Sequence, residues 1–191
     1  MVLNMRSYIE RAKDFVKEIC PYLERANFDC WATMNSVQQY NADHTRAVKF
    51  AHGIARVALI TSDYVVKFDY DEDEVERVGG GEAEVQFYAI AKAEGFAYLF
   101  AEVTRFYYGI KAFYIMPRIR GIGKDWYHAD HFMTDEERDW CDRHDLSDLH
   151  CNNYGFRNGK VCIVDYACSL RETDESSEWI PSEIKSEVSK S

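Results

Sequence analysis

The sequence predicts an α+β fold in which antiparallel hairpins interleave with helices, not the strict β-α-β alternation of a parallel sheet. Two hairpins and two helical patterns carry that prediction. "GIARVALITSDYVVKFDY", residues 53–70, holds two runs rich in β-branched and aromatic residues around the turn "TSD". "FRNGKVCIVDYA" is a second hairpin with Asn158-Gly159 in its turn, a pair suited to the positive φ angles of a two-residue connection. Helical patterns starting near Glu82 and Thr134 separate these strands.

In chain order, residues 4–27 read as a helix, with Ile9, Ala12, Val16, Ile19, Cys20 and Leu23 near helical spacing. Pro21 is expected to kink or split it. Residues 28–50 are mixed, and "TRAVKFAHG" fits either a short helix or the approach to a strand. After the first hairpin, "DYDEDEVERVGGG" reads as a solvated loop. A helix then runs from about Glu82 to Glu94, with Val85, Tyr88, Ala89 and Ala91 on one face and Gly95 as its stop. Residues 96–103 and 111–119 read as strands, the second losing regular pairing at Pro117. Thr134 followed by Glu137 is a capping box. The last stretch, residues 171–191, is polar and serine-rich and reads as a flexible tail.

With 191 residues, 47% of them hydrophobic and 15% aromatic, the chain suits one globular domain or two small lobes sharing a core. A net charge of −10 disfavours a phosphate backbone or an anionic membrane surface, so neither nucleic acid nor membrane is expected as a partner. The six cysteines, at 20, 30, 141, 151, 162 and 168, form no C-x-x-C pair, and the start of the chain is too charged for a secretory signal. Reduced thiols and a cytoplasmic location are the expectation. His128 and His131 in "HADH" lack further ligands at zinc spacing and read as part of a polar linker.

The chemistry concentrates in "DLHCNNYGFRNGKVCIVDYA", residues 148–167. Asp148 and Asn153 are five residues apart, and Asp165 directly follows the apolar "VCIV". Phosphoryl transfer needs one carboxylate to orient the nucleophile, and an Asn oxygen with a second carboxylate to hold magnesium on the phosphates. Turn formation accounts for Asp148 and Asn153 equally well. Asp165 is harder to explain that way, because a carboxylate at the end of a buried strand is uncommon without a task.

This stretch resembles the catalytic loop and metal-binding hairpin of the protein-kinase-like superfamily, especially its small bacterial and viral members and the aminoglycoside-phosphotransferase branch. The family pattern H-x-D-[LF]-[HK]-x-x-[NE]-N reads here Leu146-Ser147-Asp148-Leu149-His150-Cys151-Asn152-Asn153, and D-[FY]-[GA] reads Asp165-Tyr166-Ala167. The resemblance implies Asp148 as catalytic base and Asn153 and Asp165 as magnesium ligands. Leu146 stands where the family has an architectural His.

Upstream, "DYVVKF" offers Lys67 as the strand lysine that meets nucleotide phosphates. "GEAEVQFYAIAKAEG" offers Glu84 as its helix partner, with Glu82 as the alternative. Gly53 is what remains of a phosphate-covering glycine loop. "FYIMPRIRG" resembles the strand and hinge that carry an adenine, with Met116, Pro117 and Arg118 offering backbone groups. The implied layout is a helical extension over 1–50, a kinase-like antiparallel N-lobe over 51–119, a minimal C-lobe over 120–170 and a tail over 171–191. The extension is expected to buttress the small C-lobe. The implied function is ATP-dependent phosphotransfer, with ATP and magnesium as cofactors and an unidentified hydroxyl acceptor, protein Ser/Thr included. The alternative is a pseudokinase-like interaction protein that grips or inhibits a partner protein; the thin glycine loop, the replaced His and the short chain after Ala167 favour it.

Overall fold

A computed structural model describes residues 5–70, 80–119, 128–146, 149–150 and 152–166. The acidic loop, most of the linker after Arg118, Asp148 and the polar tail lie outside the described residues. The chain is mixed α+β. Its elements are α1 (Met5–Arg25), α2 (Cys30–His44), β1 (Lys49–His52), β2 (Arg56–Ile60), β3 (Tyr64–Asp69), α3 (Gly81–Ala93), β4 (Thr104–Tyr108), β5 (Lys111–Pro117), α4 (Asp135–Arg143), β6 (Tyr154–Arg157) and β7 (Lys160–Ile163), with short 3-10 turns at Ala97–Leu99 and Ala129–Phe132. The first five strands form one antiparallel sheet in the order β1-β2-β3-β5-β4, and β6 pairs with β7 separately.

Two hydrophobic clusters meet at this sheet, and β5 shows why. Its side chains alternate, as a strand requires. Phe113 and Ile115 join Val57, Leu59, Val66 and Phe68 beneath α1 and α2. Tyr114 and Met116 face the other way, into a cluster with Phe87 and Ala91 of α3, Trp140 of α4, and Tyr154, Ile163 and Tyr166. Helices α1 and α2, expected to buttress the C-terminal part, instead lay their apolar stripe on the sheet. Ala12, Phe15, Val16, Ile19 and Leu23 from α1, and Val37 and Tyr40 from α2, are all buried there.

Pro21 lies inside α1, which continues through it as a single helix. Its missing N–H removes one ladder bond. The burial of Ile19, Cys20 and Leu23 and a bond from Arg25 Nε to the Pro21 carbonyl hold the last turn in place. The mixed stretch after Ala26 contains a second helix, α2. Asp29 caps it by accepting from the Ala32 amide at 2.8 Å.

The strand expected over 96–103 is a different object. Phe96 opens a 3-10 turn that ends at the fully buried Leu99, and the equally buried Phe100 and Ala101 run on against β7, with the Ala101 amide on the Ile163 carbonyl at 2.8 Å. The sheet strand is "TRFYY", which follows it. The capping box holds: the Thr134 amide donates to Glu137 Oε2 at 2.7 Å and the Glu137 amide to Thr134 Oγ1 at 3.3 Å. So does the β6–β7 turn, with φ of 55° at Asn158 and 78° at Gly159. Among the described residues, no helix is long and apolar enough to cross a membrane.

Candidate functional site

On β3, Tyr64, Val66 and Phe68 go to the helical side of the sheet, so the alternation turns Lys67 to the other face. Lys67 is 8% exposed. Its ammonium donates to Glu84 Oε1 at 2.6 Å and to the Val164 carbonyl at 2.8 Å, and stands 3.8 Å from Asp165 Oδ1. Glu84, in the first turn of α3, is fully buried. Two local devices hold it there. The Asp69 carboxylate at the end of β3 accepts the Gly81 amide at 3.2 Å, anchoring the start of α3. Gly81 lies so close to the Tyr114 ring that a Cβ would overlap it, which lets the helix settle on the sheet. Glu82, the alternative, pairs with Arg105 at 2.8 Å instead.

A fourth charged residue joins. Arg56 on β2 is in register with Asp69, two residues before Ala58, which pairs with Lys67, so the two cations share a sheet face. Arg56 Nη2 donates to Asp165 Oδ1, and Nη1 lies 3.0 Å from Glu84 Oε1. In the sequence Arg56 stands with Gly53 in the reduced loop pattern G-x-x-R, which by itself assigns it no role. The signal for it was an arginine at the start of a strand, between Ala55 and Val57, both of which are buried.

Two cations thus face two carboxylates. Burial pushes the Glu84 carboxyl above its ordinary range, and Lys67 and Arg56 offset this only in part. Burial also works against the charge on Asp165, but Lys67 and Arg56 outweigh it and hold the carboxyl down at about 2. Burial likewise opposes the charge on Arg56, and Glu84 and Asp165 overcome that, leaving it protonated more firmly than usual. Glu84 Oε2 and Arg56 Nη1 are buried without a hydrogen bond. Such a cluster is a poor source of net stability, because desolvating the charges takes back much of what their attraction provides.

Asn153 is 7% exposed. Its amide donates to the His150 carbonyl at 2.9 Å, and its carbonyl accepts from the Val164 amide at 2.7 Å, which ties the 149–153 loop to the residue before Asp165. On the other side of Asp165, the buried Tyr166 hydroxyl donates to the Ala101 carbonyl at 2.8 Å. Asp148 lies outside the described residues; its neighbours Leu146 and Leu149 are both buried. Leu146 packs into the α3–α4 cluster.

The remaining candidates make their contacts elsewhere. Gly53, in the β1–β2 turn, donates its amide to the Arg56 carbonyl at 2.8 Å, and a Cβ on it would meet nothing within 4 Å. Met116 is 1% exposed and packs in the core. Arg118 donates its amide to the Asp63 carbonyl at 3.0 Å and its Nη1 to the Thr61 carbonyl at 2.7 Å, which ties the end of β5 to the β2–β3 turn. A separate cavity of about 540 Å³ between α1 and that turn is lined by its own ion pairs, Arg11–Asp63 and Arg46–Glu18.

No protein-family model matches the chain, and no curated protein matches its sequence. Among the described residues, no group of three or more His, Cys, Asp and Glu side chains could hold a metal ion by itself. Asp165, 39% exposed, and Asn153 are hard oxygen donors of the kind magnesium takes when water and phosphate oxygens complete its shell. The orphaned donor on Arg56 and the ammonium of Lys67 suit an anion beside them.

Proposed function

We propose that this protein is an ATP-dependent, kinase-like phosphotransferase acting on a hydroxyl acceptor. The observation that carries the reading is the meeting of Lys67, Glu84 and Asp165. Residues distant in sequence, named from their order alone, share one buried ammonium at 2.6 Å and 3.8 Å. In this reading Glu84 orients Lys67, and Lys67 neutralises phosphate charge. Asp165 and Asn153 hold the magnesium ion, which when bound supplies charge neutralisation on the phosphates. Asp148 orients the acceptor hydroxyl. The sheet and α3 correspond to the N-lobe of the kinase-like layout, and α4 with the β6–β7 hairpin to a reduced C-lobe. A site whose stabilising value is small and whose charges converge on a half-exposed carboxylate is better explained by a ligand than by folding alone.

The test is thermal stabilisation of the full chain by ATP with and without magnesium, followed by transfer of labelled γ-phosphate. Stabilisation that requires magnesium, with label recovered on an acceptor, supports the proposal; no binding of Mg·ATP overturns it. Binding without transfer returns the pseudokinase-like alternative, which the engagement of Asp165 by Arg56 favours.

A further inference from the structure

We infer that Arg56 is a phosphate-binding residue of this cleft, supplying with a side-chain fork the contacts that a glycine-rich loop makes with backbone amides. The inference rests on the nucleotide reading above and adds a residue to it. The β1–β2 turn is poorly equipped as a cradle. It holds one glycine, whose amide is engaged by the Arg56 carbonyl, and the Tyr70 hydroxyl fastens the carbonyls of Gly53 and Ile54. Positive charge has to come from elsewhere.

Arg56 and Lys67 lie on the same sheet face and converge on one oxygen, Asp165 Oδ1, at the half-exposed end of the cluster. The Arg56 side chain is only 13% exposed, and its Nη1, though 3.0 Å from Glu84 Oε1, makes no hydrogen bond. A buried guanidinium with an unused donor is incompletely satisfied as it stands. Its planar fork matches two phosphate oxygens, which an ammonium cannot do. A cation taken by Asp165 would share that carboxylate's charge with Arg56 and Lys67 and so weaken its attraction for the guanidinium. The guanidinium then keeps its place, its charge and its donors for a neighbouring anion.

The experiment measures binding of Mg·ATP, Mg·ADP and adenosine to the full chain and to Arg56→Gln and Arg56→Lys by titration calorimetry, at two salt concentrations. Arg56→Gln should weaken Mg·ATP by about tenfold or more, the scale of a charge-assisted hydrogen bond. It should weaken adenosine by less than about twofold on the same reasoning, and flatten the salt dependence of Mg·ATP binding. Arg56→Lys should fall between, since it keeps the charge and loses the fork. If Arg56→Gln does not fold, the comparison of Arg56→Lys with the parent decides on the same criteria. A variant that binds Mg·ATP as tightly as the parent, or more tightly, overturns the inference and makes Arg56 a simple tether for Asp165. Equal losses for ATP and adenosine overturn it too, because they report a damaged cleft. A parent chain that binds no Mg·ATP removes the nucleotide reading itself, whereas parent binding with an unaffected variant removes only the part played by Arg56.

Discussion

Gly81→Ala is the most informative single change outside the charged cluster. A methyl group at Gly81 would stand less than 3.0 Å from Cγ, Cδ2 and Cε2 of Tyr114. Ordinary carbon contacts need about 3.5–4.0 Å, so helix and ring must separate by roughly an ångström or more. The ring has little room, since Tyr114 is 4% exposed and its backbone is held in register with Lys67. Overpacking of this kind costs about 1–3 kcal/mol, and the helix preference of Ala over Gly returns at most ~1 kcal/mol. A net loss of up to about 2 kcal/mol should lower Tm by up to roughly 8 °C in a chain of this size. The same shift would carry Glu84 away from Lys67 and stretch a 2.6 Å bond beyond useful hydrogen-bond length. Mg·ATP affinity should therefore fall by more than the stability loss explains. Adding Tyr114→Leu, which removes the obstructing ring, should recover part of both. A Gly81→Ala protein with the parent's Tm and nucleotide affinity would refute the close-packing argument and the claim that helix position sets the Lys67–Glu84 pair.

Lys67→Met should abolish Mg·ATP binding and also destabilise the fold. Removing one member of a buried pair costs about 3–5 kcal/mol when nothing compensates; Arg56, 3.0 Å from Glu84, should keep the loss below that range, so a urea-unfolding ΔΔG within or above it would contradict the shared-partner picture. Asp165→Asn should remove the magnesium dependence of ATP affinity, which calorimetry with and without the ion reads directly. It should also change acid stability. The Asp165 carboxyl is held at about 2 against an ordinary 3.8, so its contribution is present above pH 3.8 and lost as pH falls through about 2. The variant should then show a shallower drop in Tm across that window, and identical pH slopes for the two proteins would count against it. Burial pushes the thiols of Cys20 and Cys162 up to about 11 and that of Cys141 to about 12. All three should resist iodoacetamide at pH 8 until the chain unfolds, and rapid labelling found by peptide mapping would show that these cores open.

Features written in short-range chemistry were legible before any coordinates. Thr134 with Glu137, Asn158 with Gly159, and the two strands around "TSD" each carry their instruction within a few residues. What escaped depends on distant partners. Helix α2 buries only Cys30, Thr33, Val37 and Tyr40 among many polar residues, so its periodicity is faint until the sheet supplies the surface it covers. The apolar run at 96–103 looks like a strand because its residue types suit one, and only the folded partners of Leu99, Phe100 and Ala101 show that it packs between α3, α4 and β7 instead. At the site, Lys67, Glu84 and Asp165 could be named because a motif order exists for them. Arg56 stood beside Gly53 in the reduced loop pattern without a role, because an arginine beside a turn is ordinary until a carboxylate 109 positions later is folded onto it.

The helical cover on the back of the sheet bears on how this protein can be produced in pieces. A fragment beginning at Thr45 would keep β1 to β7 and every candidate site residue and still lose the layer that shields Val57, Leu59, Val66, Phe68, Phe113 and Ile115. Those side chains form one continuous apolar plate, larger than soluble surfaces ordinarily tolerate. Such a fragment would collect in inclusion bodies or on chaperones. Helices α1 and α2 are thus an integral wall of the half that holds the charged cluster, and a shortened version meant for labelling, crystallisation or fusion has to carry them.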